Sequence, residues 1–308
     1  MEPLSAGLIG HPVSHSLSPE IFRWLSVQLH RPLHYQKLDV PPEKLRSFFA
    51  LQKQFQMWVG WSVTIPHKEK VMNWVEELSP EAQAIGAVNC VSWKKGRLIG
   101  FNTDALGVKK SLQEAGFRFS GARAVIYGAG GAALAVGAVL GKYGAREVAF
   151  INRSITRAKR AAHQLSSSFP KTRFWAGSEL KAIAWSPSLS KGAGVPRVSL
   201  FVNATPVGMQ GFSDQTFEQP LFSGKSPGAL ALDLIYRPEK TPFLTLAAQE
   251  GLKTLGGLDM LLWQAMAAWE IWMGQRIAQP KKIKASLKLH LQKLMASSKK
   301  PNSSRFRG

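Results

Sequence analysis

Apolar and polar positions along the chain follow two rhythms. Short apolar runs at Ala6–Ile9, Leu33–Leu38 and Met57–Ile65 predict strands, while Pro19–Leu29 and Pro42–Leu51 carry the spacing of amphipathic helices. A further helix is expected after Pro66. Strands that alternate with helices imply an α/β architecture built on a mostly parallel sheet. The middle of the chain repeats the rhythm more sharply: strand Ala124–Tyr127, helix Gly131–Lys142, strand Val148–Ile151, then buried strands at Ser199–Val202 and Ala229–Leu234.

Past Gly257 the pattern turns helical. Leu258–Gly274 is the most apolar stretch, but Asp259, Gln264 and Glu270 interrupt it, so it reads as a buried helix packing back on the first half of the chain, not as a membrane span. Lys281–Met295 places Ile283, Leu287, Leu291 and Leu294 on one face with lysines between them. Such a basic amphipathic helix can bind membranes or acidic partners; a helix covering the core is the favoured reading. Ser186–Pro196, rich in Ser, Pro and Gly, reads as a loop insertion, and the last dozen residues as a disordered basic tail.

Composition narrows the class. The 308 residues suffice for two domains, and 45% hydrophobic residues with 10 Trp exclude a disordered chain. A single cysteine, Cys90, excludes an intramolecular disulfide and a cysteine-based zinc cluster; it suits a reducing, cytoplasmic setting, and no signal peptide is apparent. The net charge of +21 raises nucleic acid as a partner, but no zinc-finger, RNA-recognition or recognition-helix pattern accompanies it. The excess is steepest in the last thirty residues, which hold no acid. A positive field also attracts anionic substrates and phosphorylated cofactors.

One glycine-rich turn carries cofactor chemistry. Gly128, Ala129, Gly130, Gly131, Ala132 and Ala133 follow a strand and open a helix, matching G-x-G-x-x-A. The first glycine permits the tight turn, the second admits a pyrophosphate, and the small last residue allows close helix–strand packing. At the end of the next strand an NAD site usually carries an acid for the ribose hydroxyl. Here stand Asn152, Arg153 and Ser154, with Arg157 one turn on. Two arginines and no carboxylate favour a 2′-phosphate, hence NADP over NAD.

Three motifs supply the candidate reaction centre: SVTIPHK (Ser62 to Lys68), GAVN (Gly86 to Asn89) and NTD (Asn102 to Asp104). Brought to one cleft, Lys68 and Asp104 form a proton-transfer pair able to act on a hydroxyl or ketone. Ser18 reads as an N-cap with Pro19 at the first helical position, and Ser16 and Ser18 can present hydroxyls to a carboxylate. Asp104 reads alternatively as the N-cap of a helix from Ala105, and Asn89 as the holder of a turn.

These motifs, with HSLSP, GAGGA, NRS, NATPVGM (Asn203 to Met209), DLIYRPEKTPF (Asp233 to Phe243) and GGLDMLLWQA (Gly256 to Ala265), resemble the shikimate dehydrogenase family over about the first 275 residues. The resemblance implies a substrate-binding and catalytic domain over residues 1–104, completed by C-terminal helices over 258–295. A Rossmann-type NADP domain would span 105–257, with a basic tail over 296–308. It implies that Ser16 and Ser18 bind the substrate carboxylate. Thr64, Asn89, Asp104 and Gln264 would bind ring hydroxyls, with Ser62 and Tyr236 also lining the substrate site. Lys68 would be the acid/base, paired with Asp104. Asn203, Thr205, Leu234 and Gly257 would join the glycine-rich turn at the cofactor.

The implied activity is reduction of 3-dehydroshikimate to shikimate with NADPH, on the route to chorismate and the aromatic amino acids, by a monomer or homodimer with no metal. An NAD-preferring quinate/shikimate dehydrogenase and a non-catalytic ligand-binding regulator are the alternatives. Ser62 departs from the family pattern, which has Asn there; one hydroxyl in place of an amide leaves the choice between shikimate and quinate open.

Overall fold

The computed structural model describes residues 3–55, 57–179, 197–210, 217 and 221–297. Two six-stranded sheets organise them. The first contains β1 (Leu4–Gly10), β2 (Leu33–Asp39), β3 (Gly60–Val63), β4 (Glu77–Leu78), β5 (Cys90–Lys94) and β6 (Arg97–Phe101), in the order β2-β1-β3-β5-β6-β4. β1 runs parallel to β2 and β3, but β5 is antiparallel to both β3 and β6. The sheet is therefore mostly parallel, as expected, with β5 its one antiparallel strand. Lys95 and Gly96, with φ of 50° and 76°, join β5 to β6, and a connection of two residues can only make a hairpin.

Helices α1 (Ser18–Gln28), α2 (Leu45–Phe55) and α3 (Pro80–Ile85) flank this sheet. The helix expected after Pro66 is only a 3-10 turn at Lys70–Asn73. The preceding residues are held by other bonds: His67 N–H closes a turn on Thr64 O, and Lys68 O accepts from Val88 N–H, so it is not left for a helical bond. Ser18 is likewise the first helical residue and not the cap. Leu17 holds the cap position without a side-chain bond, and Ser18 N–H donates to Ser16 Oγ at 3.2 Å.

α4 (Asp104–Glu114) leads to the second sheet, made of β7 (Arg123–Tyr127), β8 (Glu147–Ile151), β9 (Arg173–Gly177), β10 (Val198–Asn203), β11 (Lys225–Asp233) and β12 (Lys253–Leu255). Its order is β12-β11-β10-β7-β8-β9 and every pair is parallel. Helices α5 (Gly131–Lys142), α6 (Ile155–Ser168) and α7 (Pro242–Gln249) connect the strands. The order reverses between β7 and β10, which opens a crevice at their carboxyl ends.

α8 (Leu258–Met273) then returns to the first sheet. Leu262, Trp269 and Trp272 share one buried cluster with Leu17, Phe22 and Leu25 of the opening segment, joined by Leu287 and Leu291 of α9 (Pro280–Ser297). The lysines of α9 are not all solvated: Lys284 Nζ lies 2.8 Å from Asp259 Oδ1, and Lys288 Nζ lies 2.6 Å from Asp259 Oδ2. No helix among the described residues is long and apolar enough to cross a membrane. Ala296 and Ser297 belong to α9; residues 298–308 and the Ser186–Pro196 segment lie outside the described residues.

Candidate active site

The strand ends of both sheets open onto one cleft of about 890 Å³. One wall comes from the first sheet: Ser16 and Ser18 where β1 passes into α1, Ser62 on β3, Thr64 just beyond it, and Lys68 in the following turn. Asn89 precedes β5, Asp104 is the first residue of α4, and Gln264 reaches in from α8. The opposite wall is the glycine-rich turn after β7, Asn152 and Arg153 after β8, Arg157 on α6, Thr205 after β10, Leu234 and Tyr236 after β11, and Gly257 before α8.

The centre is a closed network of short bonds. Lys68 Nζ donates to Asp104 Oδ2 at 2.6 Å; their side chains are 16% and 5% exposed. The other carboxylate oxygen, Oδ1, accepts from Asn89 Nδ2 at 2.8 Å. Asn89 Oδ1 in turn accepts from Thr103 N–H at 2.6 Å, and Gln264 Oε1 lies 3.4 Å from Asn89 Nδ2. Each Asp104 oxygen is thus oriented by one partner, and the Lys68 ammonium faces the cleft from a fixed carboxylate. A positioned ammonium–carboxylate pair can give and recover one proton at an oxygen placed against it.

Asp104 is free for this because it does not cap α4. Asn102 does that work: its Oδ1 accepts from Ala105 N–H at 3.1 Å, and its amide donates to Ala87 O at 2.9 Å. Asn102 and Thr103 hold the network without facing the cleft. Both stand inside the NTD motif, whose three adjacent polar residues carry no local mark that separates them by role. Burial pushes the Tyr236 hydroxyl up from its ordinary value, against the pull of the Leu17 backbone and the Ser16 side chain. It therefore stays protonated beside Ser16.

The second wall fits a dinucleotide phosphate. Gly128 has φ of 114°, a region that favours glycine, and an added Cβ would come within 2.8 Å of Ala204 O. At Gly130 an added Cβ would meet only Arg157 Nη2, at 4.0 Å, so the backbone is open and a cation stands over it. The N-terminus of α5 lies at the same place and favours anions. Two expected cofactor residues do not line the cleft. Ser154 caps α6, accepting from Arg157 N–H at 3.4 Å. Asn203 is fully buried: its amide donates to Asp233 Oδ1 at 3.0 Å, and its Oδ1 accepts from the Thr205 hydroxyl at 2.7 Å.

The walls nearly touch at one point. A Cβ added to Gly131 would stand 2.9 Å from Lys68 Cβ. A cofactor held at the glycine-rich turn would therefore lie on the Lys68 side of the cleft.

Similarity to known proteins agrees with this geometry. The family model for the shikimate dehydrogenase substrate binding domain matches residues 8–91, and that for the shikimate 5'-dehydrogenase C-terminal domain matches residues 257–288. A shikimate dehydrogenase (NADP(+)) of Symbiobacterium thermophilum is 38% identical over 271 residues, which cover 88% of this chain and 89% of the relative. The chain belongs to the shikimate dehydrogenase family.

Solved structures of shikimate dehydrogenases extend the match to three dimensions. The enzyme of Thermus thermophilus, in complex with NADP(H) and shikimate, superposes with a TM-score of 0.73 at 34% identity, covering 93% of this chain and 99% of that one. A ligand-free 5-ketofructose reductase of Gluconobacter gives 0.75 at 27% identity, covering 94% and 99%. The fold alone therefore does not name the substrate; the side chains of the cleft must. Several cleft residues of this family member went unassigned in the sequence, among them His15, Glu69, Met209 and Arg237. Arg237 sits inside the YRPEKTPF motif, which offered a signal; Glu69, beside Lys68 and 3.3 Å from Arg160, offered none.

Proposed function

We propose that this chain is an NADP-dependent shikimate dehydrogenase, catalysing the reversible reduction of 3-dehydroshikimate to shikimate. The observation that carries the reading is the Lys68–Asp104 pair at 2.6 Å, with Lys68 packed closely against Gly131 of the glycine-rich turn. When bound, NADPH supplies the hydride. The chain's own residues do the rest. Ser16, Ser18 and Tyr236 bind the substrate carboxylate with hydroxyl donors; Ser62, Thr64, Asn89, Asp104 and Gln264 hold the ring oxygens. Lys68 donates a proton to the ketone oxygen as it becomes a hydroxyl, and recovers it in the reverse direction. Asp104 keeps the ammonium aimed.

In this reading residues 1–104 with the helices over 258–295 bind substrate, and 105–257 bind the cofactor. Gly128 to Ala132 cradle the pyrophosphate and Arg153 and Arg157 grip the 2′-phosphate, supported by the open backbone at Gly130. Asn152, Thr205, Leu234 and Gly257 shape the rest of the cofactor channel, and Ser154 and Asn203 support it from behind. A cytoplasmic monomer or homodimer, with nucleic acid no part of its work, is the setting the reading carries. The test is nicotinamide absorbance with shikimate or quinate, each with NADP or NAD. Turnover is expected with shikimate and NADP; none in any combination would sink the enzyme, and faster turnover of quinate would move the substrate.

A further inference from the structure

Tyr35, on β2, does not line the cleft, yet its hydroxyl is buried next to it. Strand register explains how it gets there. Tyr35 stands opposite Ala6 of β1, and Ala6 stands opposite Gly60 of β3. Ser62 is two residues along β3 from Gly60, so all four positions share one face of the sheet. Ala6 and Gly60 are small, which leaves room on that face. A Cβ at Gly60 would lie 2.3 Å from Trp272 Nε1, so the indole fills that gap. The Tyr35 ring stacks on Phe22 at 4.3 Å, inclined by 18°, and stands 6.1 Å from Trp272. A ring clamped this way has one direction for its hydroxyl, toward the Ser62 and Ser18 side chains that act on it.

Among the described residues no hydrogen bond closes on the Tyr35 hydroxyl. A buried hydroxyl that never donates costs about 1–3 kcal/mol, so a nearby acceptor is under strong pressure to take its proton. Ser18 Oγ already accepts from Ser16 Oγ at 3.1 Å. Ser62, 7% exposed on the cleft wall, has no such partner among the described residues. Burial also pushes the Tyr35 phenol well above its ordinary range, which keeps it a donor at every pH at which the protein works.

We propose that Tyr35 is a positioning residue for the substrate, its O–H donating to Ser62 Oγ so that the Ser62 proton is left to point into the cleft. The chain runs from Tyr35 O–H to Ser62 Oγ, and from Ser62 O–H to an acceptor oxygen of the substrate. No proton is transferred; two donors are set in line. A short serine, whose hydroxyl rotates freely, becomes a directed donor through the phenol behind it.

The inference rests on the proposed function for the identity of the ligand, so the experiment separates the two. Wild-type turnover of shikimate with NADP tests the function; shikimate affinity, measured by calorimetry on the unmodified protein and its variants, tests Tyr35. Tyr35→Phe keeps the stack and is expected to weaken shikimate binding about three- to tenfold, to raise KM for shikimate by a like factor, and to leave kcat and NADPH affinity within about twofold. Ser62→Ala should weaken binding similarly, and Tyr35→Phe on that background should add nothing. Unchanged shikimate affinity in Tyr35→Phe, or a full effect persisting beside Ser62→Ala, overturns the positioning role. Shikimate bound but not turned over overturns the function and leaves the Tyr35 comparison standing; a wild-type protein that binds no shikimate overturns both.

Discussion

A Cβ at Gly131 would stand 2.9 Å from the Cβ of Lys68, so the first residue of the cofactor helix and the proposed acid/base leave no space for a methyl group between them. Helix positions ordinarily gain about 0.5–1 kcal/mol when Gly becomes Ala. Here the substitution must displace Lys68. Gly131→Ala is expected to lower kcat by about tenfold or more, since small misplacements of a reacting group are costly. Steady-state kinetics with a thermal melt check it: an unchanged kcat would mean that the walls can part freely.

Lys68→Ala removes the proton donor and leaves the fold. Acid/base help of this kind is worth about a hundred- to ten-thousandfold, and turnover is expected to fall within that range with shikimate affinity little changed. Asp104→Asn keeps the shape but loses the charge that orients the ammonium. It should lower kcat too, and the double variant should be no worse than Lys68→Ala alone. Additive losses in that cycle would show that the two residues act separately.

Arg157 stands over Gly130, the open point of the phosphate turn. Hydrogen bonds to charged groups are worth about 1.5–3 kcal/mol, so Arg157→Ala should raise KM for NADPH by roughly tenfold to a hundredfold. KM for NADH, which lacks the 2′-phosphate, should barely move. Equal effects on both would place Arg157 at the shared pyrophosphate instead.

Asp233 predicts a pH dependence of stability. Its burial, only partly offset by bonds from Thr241, Ile235 N–H and Asn203, pushes its carboxyl up to about 6. The folded state therefore holds this proton more tightly than the unfolded chain, whose ordinary value is near 3.8. The contribution is fully present below about pH 3.8 and is lost as pH rises through about 6, up to roughly 3 kcal/mol in all. Asp233→Asn cannot titrate. The stability of the wild type relative to that variant should decline between pH 4 and pH 7 in urea unfolding, and a flat difference would contradict the burial argument.

The sequence made most of the fold legible because strand and helix periods alternate cleanly, and α5 runs over the predicted Gly131–Lys142. What escaped lay in local bonds that periodicity does not reveal and in contacts between distant residues. The β5–β6 hairpin hid because its turn is Lys95-Gly96, with a lysine at a positive φ. Ser18 and Asp104 each looked like a helix cap from local pattern. In the fold no side chain takes the first role and Asn102, three residues before Ala105, takes the second, so neither cleft residue is used as a cap. The Lys68–Asp104 pairing was legible as chemistry; its support by Asn89, Thr103 and Gln264 spans 175 residues and has no local signature.

The return of α8 has a bearing on how the molecule is born. The core beneath the first sheet is shared between residues near the start of the chain, such as Phe22 and Leu25, and residues of α8 and α9. A ribosome therefore releases the opening hundred residues long before Trp269, Trp272 and Leu287 exist to cover them. The second sheet, by contrast, is contiguous in the chain and can close while translation continues. The wall proposed to hold the substrate begins first and is completed last, with Gln264 of α8 its final side chain to emerge.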